Sequence, residues 1–339
     1  MIRGFMGAPI HPFMRAHSHP SRGPRGRPPP LRALAALLAG ALMALAAAQR
    51  AEALPGDGIH NFQHVVMIMQ ENRSFDSYFG TLPGAKGIPA GVCVQDPLHS
   101  KCVPPFYDPS DVNQGGPHGR NNARKDIDEG KMDGFVSDVE EWEKCTAEST
   151  KSKCFPCTLA MIEAHERCID VMGYHDAREI PNYWTYAKDF VLQDNMYESA
   201  ISWSRPEHNF MVSGWSAKCP EHDTNPLDCV NKVEPGIFYT ESTNSWTDVT
   251  YLLHKANVSW RYYVFEGAEP DCESDEALSC APVEQGPKTP GIWNPLPWFA
   301  DVKEDGQLED VQSLNQFYNA VHQQGSCGLP NVSWMDTNK

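Results

Sequence analysis

The sequence predicts an α/β fold with a mostly parallel sheet, and three observations carry that expectation. His64-Val65-Val66-Met67-Ile68-Met69-Gln70 is an almost unbroken apolar run with polar ends, which is how a strand covered on both faces reads. Beyond residue 180, segments with helical spacing alternate with short apolar runs. The chain has 339 residues, 41% hydrophobic and 21% charged, enough to bury one large core.

Taken in order, the run at 64–70 reads as the first, central strand. Residues 81–170 are rich in Gly, Pro, Cys and charge, with helical signal only near Met161 to Val171, and read as a long disulfide-tied insertion. Pro181 is a good first helical residue, followed by Tyr183, Trp184, Ala187 and Phe190 on one face. Val191 to Tyr197 reads as a strand, and a helix is expected from Pro206. Val249, Leu252, Leu253 and Ala256 place a helix over Asp248 to Ala256 with Thr247 as its cap. Val258 to Val264 reads as a strand. Leu314, Phe317, Tyr318 and Val321 mark a helix that runs up to Gly325, and Leu329 to Trp334 one more strand.

The first 53 residues stand apart from this domain, which is expected over 54–339. A basic stretch ending at Arg32 runs into the apolar segment Ala33 to Ala48, too short for a comfortable membrane span. Ala51-Glu52-Ala53 then offers small residues where a signal peptidase reads, so cleavage is expected after Ala53. An uncleaved N-terminal anchor is the alternative. No adjacent arginine pair precedes the apolar run, which points to a Sec-type bacterial signal, and Met14 offers an alternative start. The expected location is secreted or periplasmic, with no membrane span left after cleavage.

Removal of that segment takes away seven basic residues and one acidic residue, leaving 21 Lys and Arg against 43 Asp and Glu, a net charge of −22. Such a surface repels nucleic acid and anionic membrane, and is compatible with metal binding. All eleven cysteines follow the signal, which in an exported chain favours disulfides. Cys93/Cys102, Cys219/Cys229 and Cys272/Cys280 read as loop staples. Cys154-Phe155-Pro156-Cys157 could be a redox or zinc motif, but it lacks a βαβ context or a second CxxC, and disulfide use is the better reading.

In parallel sheets ligands collect at the carboxyl ends of strands, so the residues after the first strand are the place to look. They are Glu71-Asn72-Arg73-Ser74-Phe75-Asp76. A carboxylate and an amide side by side supply hard oxygen ligands for Mg²⁺, Ca²⁺ or Mn²⁺, the counter-charge that phosphate esters need. A surface turn, with Asn72 and Asp76 satisfying backbone groups, is the plainer alternative and leads on spacing alone. The second constellation is Ser202-Trp203-Ser204-Arg205-Pro206-Glu207-His208. Ser204 precedes a Pro-initiated helix, where free N–H groups favour an anion, so it reads either as a cap or as a phosphate-facing nucleophile activated by a metal. His208, one turn into the helix, reads either as a contact to the same anion or as a helix-surface histidine. His118, in Gly115-Gly116-Pro117-His118-Gly119, sits on a loop that could bring an imidazole to a substrate oxygen. His175-Asp176 reads as a turn and cap.

At these residues the sequence resembles the phosphoesterase family of bacterial phospholipases C and acid phosphatases. The match runs through residues 64–80, Gly130-Lys131-Met132-Asp133-Gly134-Phe135, Ser204-Arg205-Pro206-Glu207-His208 and Trp293-Asn294-Pro295-Leu296-Pro297, in the family's order. The first block is long and specific, and it reverses the turn reading. The resemblance implies an alkaline-phosphatase-like, doubly wound sheet. It also implies Glu71 and Asn72 as ligands of a divalent metal, Ser204 as nucleophile and metal contact, His118 as a phosphate-binding or acid/base histidine, and Ser202 as the runner-up nucleophile. Phosphomonoesters and phosphocholine-type diesters both lie in the family's range, with hydrolysis through a phosphoseryl intermediate.

Family members continue to a serine–glutamate–histidine–proline stretch and to an aspartate pair before Trp-Gly-Gly, whereas this sequence ends at Met335-Asp336-Thr337-Asn338-Lys339. The expectation is a phosphoric-ester hydrolase fold stopping short of a complete site, with Glu71, Asn72 and Ser204 as at most three protein ligands and a last strand and helix missing, which puts the activity of this chain in doubt. A non-catalytic secreted binding protein is the rival reading. A sulfatase is weaker, because no cysteine or serine lies in the short motif that formylglycine formation requires.

Overall fold

The computed structural model describes residues 58, 61–113, 115–164, 168–201, 203–216, 244–268, 284–323 and 328–337. The expected signal peptide, Ser202 and the expected pairs Cys219/Cys229 and Cys272/Cys280 lie outside the described residues. The chain divides into two compact units. In Gly7–Gln63 the described residues are 58 and 61–63, and Asn61 N donates to Gly58 O at 3.1 Å. The other unit holds His64–Lys339 and is described next.

Its elements run β1 (Val65–Met69), α1 (Phe75–Phe79), β2 (Val94–Asp96), β3 (Lys101–Val103), β4 (Phe106–Tyr107), α2 (Arg120–Ile127), α3 (Phe135–Trp142), α4 (Leu159–Glu163), β5 (Gly173–Tyr174), α5 (Pro181–Asp189) and α6 (Ser204–Ser213). They continue with α7 (Val249–Lys255), β6 (Trp260–Val264), β7 (Gly267–Ala268), β8 (Glu284–Gln285), α8 (Ala300–Glu304), β9 (Val311–Ser313), α9 (Leu314–Val321) and β10 (Val332–Asp336). The α/β class is as the sequence predicts. The main sheet has the order β1-β10-β6-β9, and all three pairings are parallel.

The first strand is a correction. β1 lies at one edge of this described sheet, paired with β10 alone, and Val65, Val66 and Ile68 are exposed. The central places belong to β10 and β6, whose Trp334, Met335, Trp260, Tyr262, Tyr263 and Val264 are buried. Apolar content alone does not say which apolar strand has neighbours on both sides. The segment Val191 to Tyr197 is no strand either, because its backbone turns at Asp194–Asn195. That turn is held by Lys86, which donates from N to Asp194 Oδ2 and from Nζ to Asn195 Oδ1.

The main core collects Val212 from α6 with Trp260, Tyr262, Val264, Leu296, Phe299, Val302, Val311 and Trp334. Each large apolar side chain buried here contributes roughly 1.5–3 kcal/mol relative to exposure. Arg205, itself buried, lies 3.9 Å over the Trp298 ring, a cation–π contact that pins the first turn of α6 to this core. α7 is capped by Asp248 and not by Thr247: Asp248 Oδ1 accepts from Thr250 N at 2.6 Å and Tyr251 N at 3.2 Å.

A second core, Val94, Val103, Val136, Val139, Ile169 and Val171, sits within the Cys-rich stretch. Three disulfides tie it: Cys93–Cys102, as expected, Cys145–Cys154 and Cys157–Cys168. The two cysteines of the CxxC therefore bond to different partners, which answers the redox and zinc alternatives there. The helical signal near Met161 to Val171 proves to be the short α4, capped by Thr158, and Ile169 instead bridges to Pro156.

Candidate functional site

The parallel strands all point their carboxyl ends the same way, and β1 and β10 finish in register, Met69 against Asp336. The residues just past β1 thus stand beside Asp336, and a cavity of about 530 Å³ opens there. Glu71, Asn72, His118 and Ser204 all line it, although they come from a strand end, a glycine-rich loop and the start of a helix.

Asn72 Nδ2 lies 2.9 Å from His118 Nδ1. With the amide donating, His118 accepts at Nδ1 and carries its proton at Nε2. Arg73 ties the same two segments, donating to the Asn72 carbonyl at 2.6 Å and to the Asn113 carbonyl. Asn113 Oδ1 in turn accepts from Gly115 N at 2.8 Å. Gly115 has φ +62°, in the left-handed region that glycine adopts without cost, and a Cβ on Gly116 would come within 3.1 Å of Val171. These two glycines let the loop hug the second core and deliver His118 to Asn72. The turn alternative for 71–76 has its own residue: Ser74, not Asn72, caps α1 by accepting from Ser77 N.

Ser204 is the first residue of α6 and not the residue before a helix that starts at Pro206. Trp203 holds the N-cap position without a side-chain hydrogen bond. The N-terminal turn of this ten-residue helix faces the cavity, where the helix dipole favours negative charge.

His208 is neither on the helix surface nor on the cavity wall. It is fully buried, stacked on Trp293 with ring centroids 6.0 Å apart, and placed between two carboxylates. Its Nε2 is 3.4 Å from Glu71 Oε2 and its Nδ1 is 3.5 Å from Asp336 Oδ2. Burial acts to lower its pKa, but Asp336 and Glu71 outweigh burial and push it up to about 10, so the ring is an imidazolium. Asp336 also receives the hydroxyl of Tyr262, which lies 2.8 Å from the Trp293 carbonyl. Burial and the neighbouring Asp336 raise the Tyr262 pKa well above its usual value. Glu71 thus approaches the cavity from a charged stack, Glu71–His208–Asp336–Tyr262, that runs into the core.

The cavity wall is acidic. Glu198, Glu207 and Asp126 line it with Glu71. Burial, reinforced by Glu198, pushes Glu207 up to about 7, and burial reinforced by Asp138 does the same for Asp126. Burial, with Glu71 adding, raises Glu198. Glu207 accepts from the backbone of Ser199 at 3.2 Å and Ala200 at 3.1 Å, which fixes the segment leading to α6.

Sequence reasoning missed Glu198, Glu207, Asp336 and Tyr262. Glu207 had a readable signal, since it stands three residues after Ser204 on the same helix face. Asp336 had one too, an acidic residue ending an apolar run just as Glu71 follows one. His175-Asp176 forms the expected turn, with Asp176 Oδ1 accepting from Arg178 N at 2.9 Å, but Ile180 caps α5 without a side-chain bond.

The sequence profile of the Phosphoesterase family matches residues 62–339. The non-hemolytic phospholipase C of Pseudomonas aeruginosa is 28% identical over 237 residues, which cover 63% of this chain and 29% of that protein. The hemolytic phospholipase C of the same organism is 28% identical over 214 residues, 60% and 26% of the two chains. Phospholipase C B of Mycobacterium tuberculosis is 26% identical over 260 residues, 72% and 47% of the two. The matched region spans less than half the length of these curated relatives.

Proposed function

Proceeding from the premise that this chain belongs to the phosphoesterase family, a family of phosphoric-ester hydrolases, we propose that its cavity hydrolyses a phosphoric ester of the phospholipase C type. The observation that carries the proposal is the convergence of Glu71, Asn72, His118 and Ser204 on one cavity at the strand ends. The names of the relatives favour a phosphodiester of a phospholipid over a small monoester.

The residues fit a hard divalent cation of the Ca²⁺, Mg²⁺ or Mn²⁺ type. Asn72 turns its amide nitrogen to His118, which leaves the amide oxygen as a ligand beside the Glu71 carboxylate, and Ser204 adds a hydroxyl. A cation held there would lower the hydroxyl's pKa and offset charge on the phosphoryl oxygens. His208 and Asp336 hold Glu71 in place from behind, as partners behind a ligand do.

Ser204 Oγ attacks phosphorus from the N-terminus of α6, whose dipole favours the anionic phosphoryl group and then the phosphoseryl ester. His118, with its proton at Nε2, donates a hydrogen bond to a phosphoryl oxygen, and water then releases the phosphomonoester, phosphocholine where the substrate is a choline ester, from Ser204. His208 has a positioning role in this scheme, because it touches Glu71 and not the cavity. The disulfides support an exported protein. Among the described residues no helix is long and apolar enough to cross a membrane.

The test is hydrolysis of p-nitrophenyl phosphorylcholine and p-nitrophenyl phosphate by purified protein, with and without chelator, beside Ser204→Ala. Turnover that is abolished by chelator and by the substitution, and faster on the choline ester, is expected. Absence of turnover from folded, metal-supplied protein would mean that this chain is not itself a hydrolase.

A further inference from the structure

The Cys-rich stretch carries a cluster that the cavity does not use. Asp96 ends β2, His99 lies in the turn between β2 and β3, and Glu140 comes from α3. A ligand atom from each lies within 4.8 Å of the others. None of the three lines the cavity at the strand ends.

The chain is built so that these groups meet. Cys93–Cys102 clamps the β2–β3 hairpin, and Ser100 takes a left-handed φ of 51° to close its turn. Asp96 Oδ1 accepts from His99 N at 2.8 Å, and Asp96 Oδ2 lies 2.7 Å from His99 Nδ1. On the other side Val136 and Val139 anchor α3 against Val94 and Val103, which brings Glu140 to the hairpin. Glu140 Oε1 then stands 3.7 Å from the same His99 Nδ1. Phe155, next to Cys154, packs on the imidazole at 5.0 Å between centroids.

Asp96 is 0% exposed and Glu140 3%, so two carboxylates share a dry site with one imidazole. Among the described residues no group donates a hydrogen bond to either oxygen of Glu140, although the side chain is almost wholly buried. A buried carboxylate without donors is costly, and a cation between it, the second carboxylate and the imidazole would offset that cost.

We propose that Asp96, His99 and Glu140 bind a divalent transition-metal ion, of which Zn²⁺ is the representative, and that this ion fastens the β2–β3 hairpin to α3. An imidazole nitrogen with two carboxylate oxygens suits Zn²⁺ better than Ca²⁺ or Mg²⁺, which prefer oxygen alone. With the imidazole proton at Nε2, Nδ1 presents its lone pair to the ion, and two carboxylates neutralise the charge. Any proton the three groups share in the metal-free state leaves to solvent on binding. The site stabilises the fold of the Cys-rich stretch and takes no part in the chemistry at Ser204.

Zinc content by mass spectrometry, after zinc loading and exhaustive dialysis of the full chain, is the test. Glu71→Gln removes the carboxylate of the cavity site and serves as the background. Against it, Glu71→Gln/Glu140→Gln and Glu71→Gln/His99→Gln are expected to carry one zinc fewer, or to bind it at least about tenfold more weakly, with far-UV circular dichroism unchanged. Zinc-edge X-ray absorption of the Glu71→Gln protein is expected to show imidazole scattering, which falls in the His99→Gln double variant. Equal zinc content in all three proteins, or absorption spectra that His99→Gln leaves unaltered, would overturn the proposal, and so would a Glu71→Gln protein that retains no zinc. The readouts need no phosphoesterase activity, so they stand apart from the function proposed for the cavity.

Discussion

Asp336→Asn isolates the charged stack behind Glu71, because it keeps the shape of the side chain and removes only its charge. Asp336 and His208 are both fully buried, so water screens their attraction little. Deleting one partner of a buried ion pair costs about 3–5 kcal/mol, since the other charge stays behind unpaired. Glu71 remains 3.4 Å away and keeps part of the attraction, which favours the lower end of that range. The pH dependence gives a second signature. His208 titrates in the folded protein at about 10, above its ordinary 6.5. A raised histidine pKa adds stability that is complete below 6.5 and is lost as pH rises through about 10. Wild-type protein stripped of metal is therefore expected to lose stability between pH 7 and pH 10, and the variant to lose much less over that interval. Urea denaturation at both pH values measures this, and with slopes of about 1–3 kcal/mol/M the midpoint at pH 7 falls by roughly 1 M or more. A variant within about 1 kcal/mol of wild type at pH 7, with the same pH profile, would show that His208 is neutral and that the stack is not an ion-pair network.

Three further outcomes are expected. His118→Gln lowers kcat for the choline ester by about 10²-fold, the loss of a hydrogen-bond donor to the phosphoryl group, while its circular dichroism is unchanged; an unaltered kcat would remove His118 from the chemistry. Asp248→Ala destabilises the protein by about 1 kcal/mol through loss of the α7 cap, whereas Asp248→Asn keeps the cap. Burial pushes Asp248 up to about 7, against the hydrogen bond from Thr250 and with Asp301 adding, so its contribution to stability is lost as pH rises from about 4 through 7; Asp248→Asn flattens that slope in thermal melts across pH 4–8. Replacing both Cys145 and Cys154 with Ser costs about 2–3 kcal/mol for the short loop they close, measured by denaturant midpoint, and a smaller loss would place the stabilisation of this stretch in its apolar core.

The class of the fold was legible in the sequence, and Glu71, Asn72, His118 and Ser204, singled out there as candidates, line one cavity; the layout of the sheet was not legible. The apolar run at 64–70 identified a strand, but its place at the edge depends on β10, more than 260 residues away, slipping between it and β6. No local pattern encodes that neighbour. Val191 to Tyr197 has the composition of a strand without a described partner, and a turn at Asp194–Asn195 wins. Ser204, Asn72 and Glu71 were found because they stand where a strand ends or a helix begins, positions that punctuation residues mark. His208 was seen but misplaced, because helical spacing does not tell which face meets a buried Trp293. Asp336 went unread although it ends an apolar run, because its pairing with His208 depends on β10 lying in register beside β1.

The charge of the chain bears on the chemistry once the cavity is in view. A net charge of −16, or −22 without the first 53 residues, repels a phosphate ester at long range. The cavity does not correct this locally, since Glu71, Asp126, Glu198 and Glu207 line it and Arg73 spends its guanidinium on two backbone carbonyls. On the proposed function, a cation held by the carboxylates and shared with the substrate oxygens would offset that repulsion. Burial, which pushes Glu207 and Asp126 up to about 7, lessens it further below neutral pH. Ser204 alone, however well placed on α6, would face an anion inside an anionic cavity, and the chelator arm of the hydrolysis experiment is the one that decides whether the cavity works as this charge balance demands.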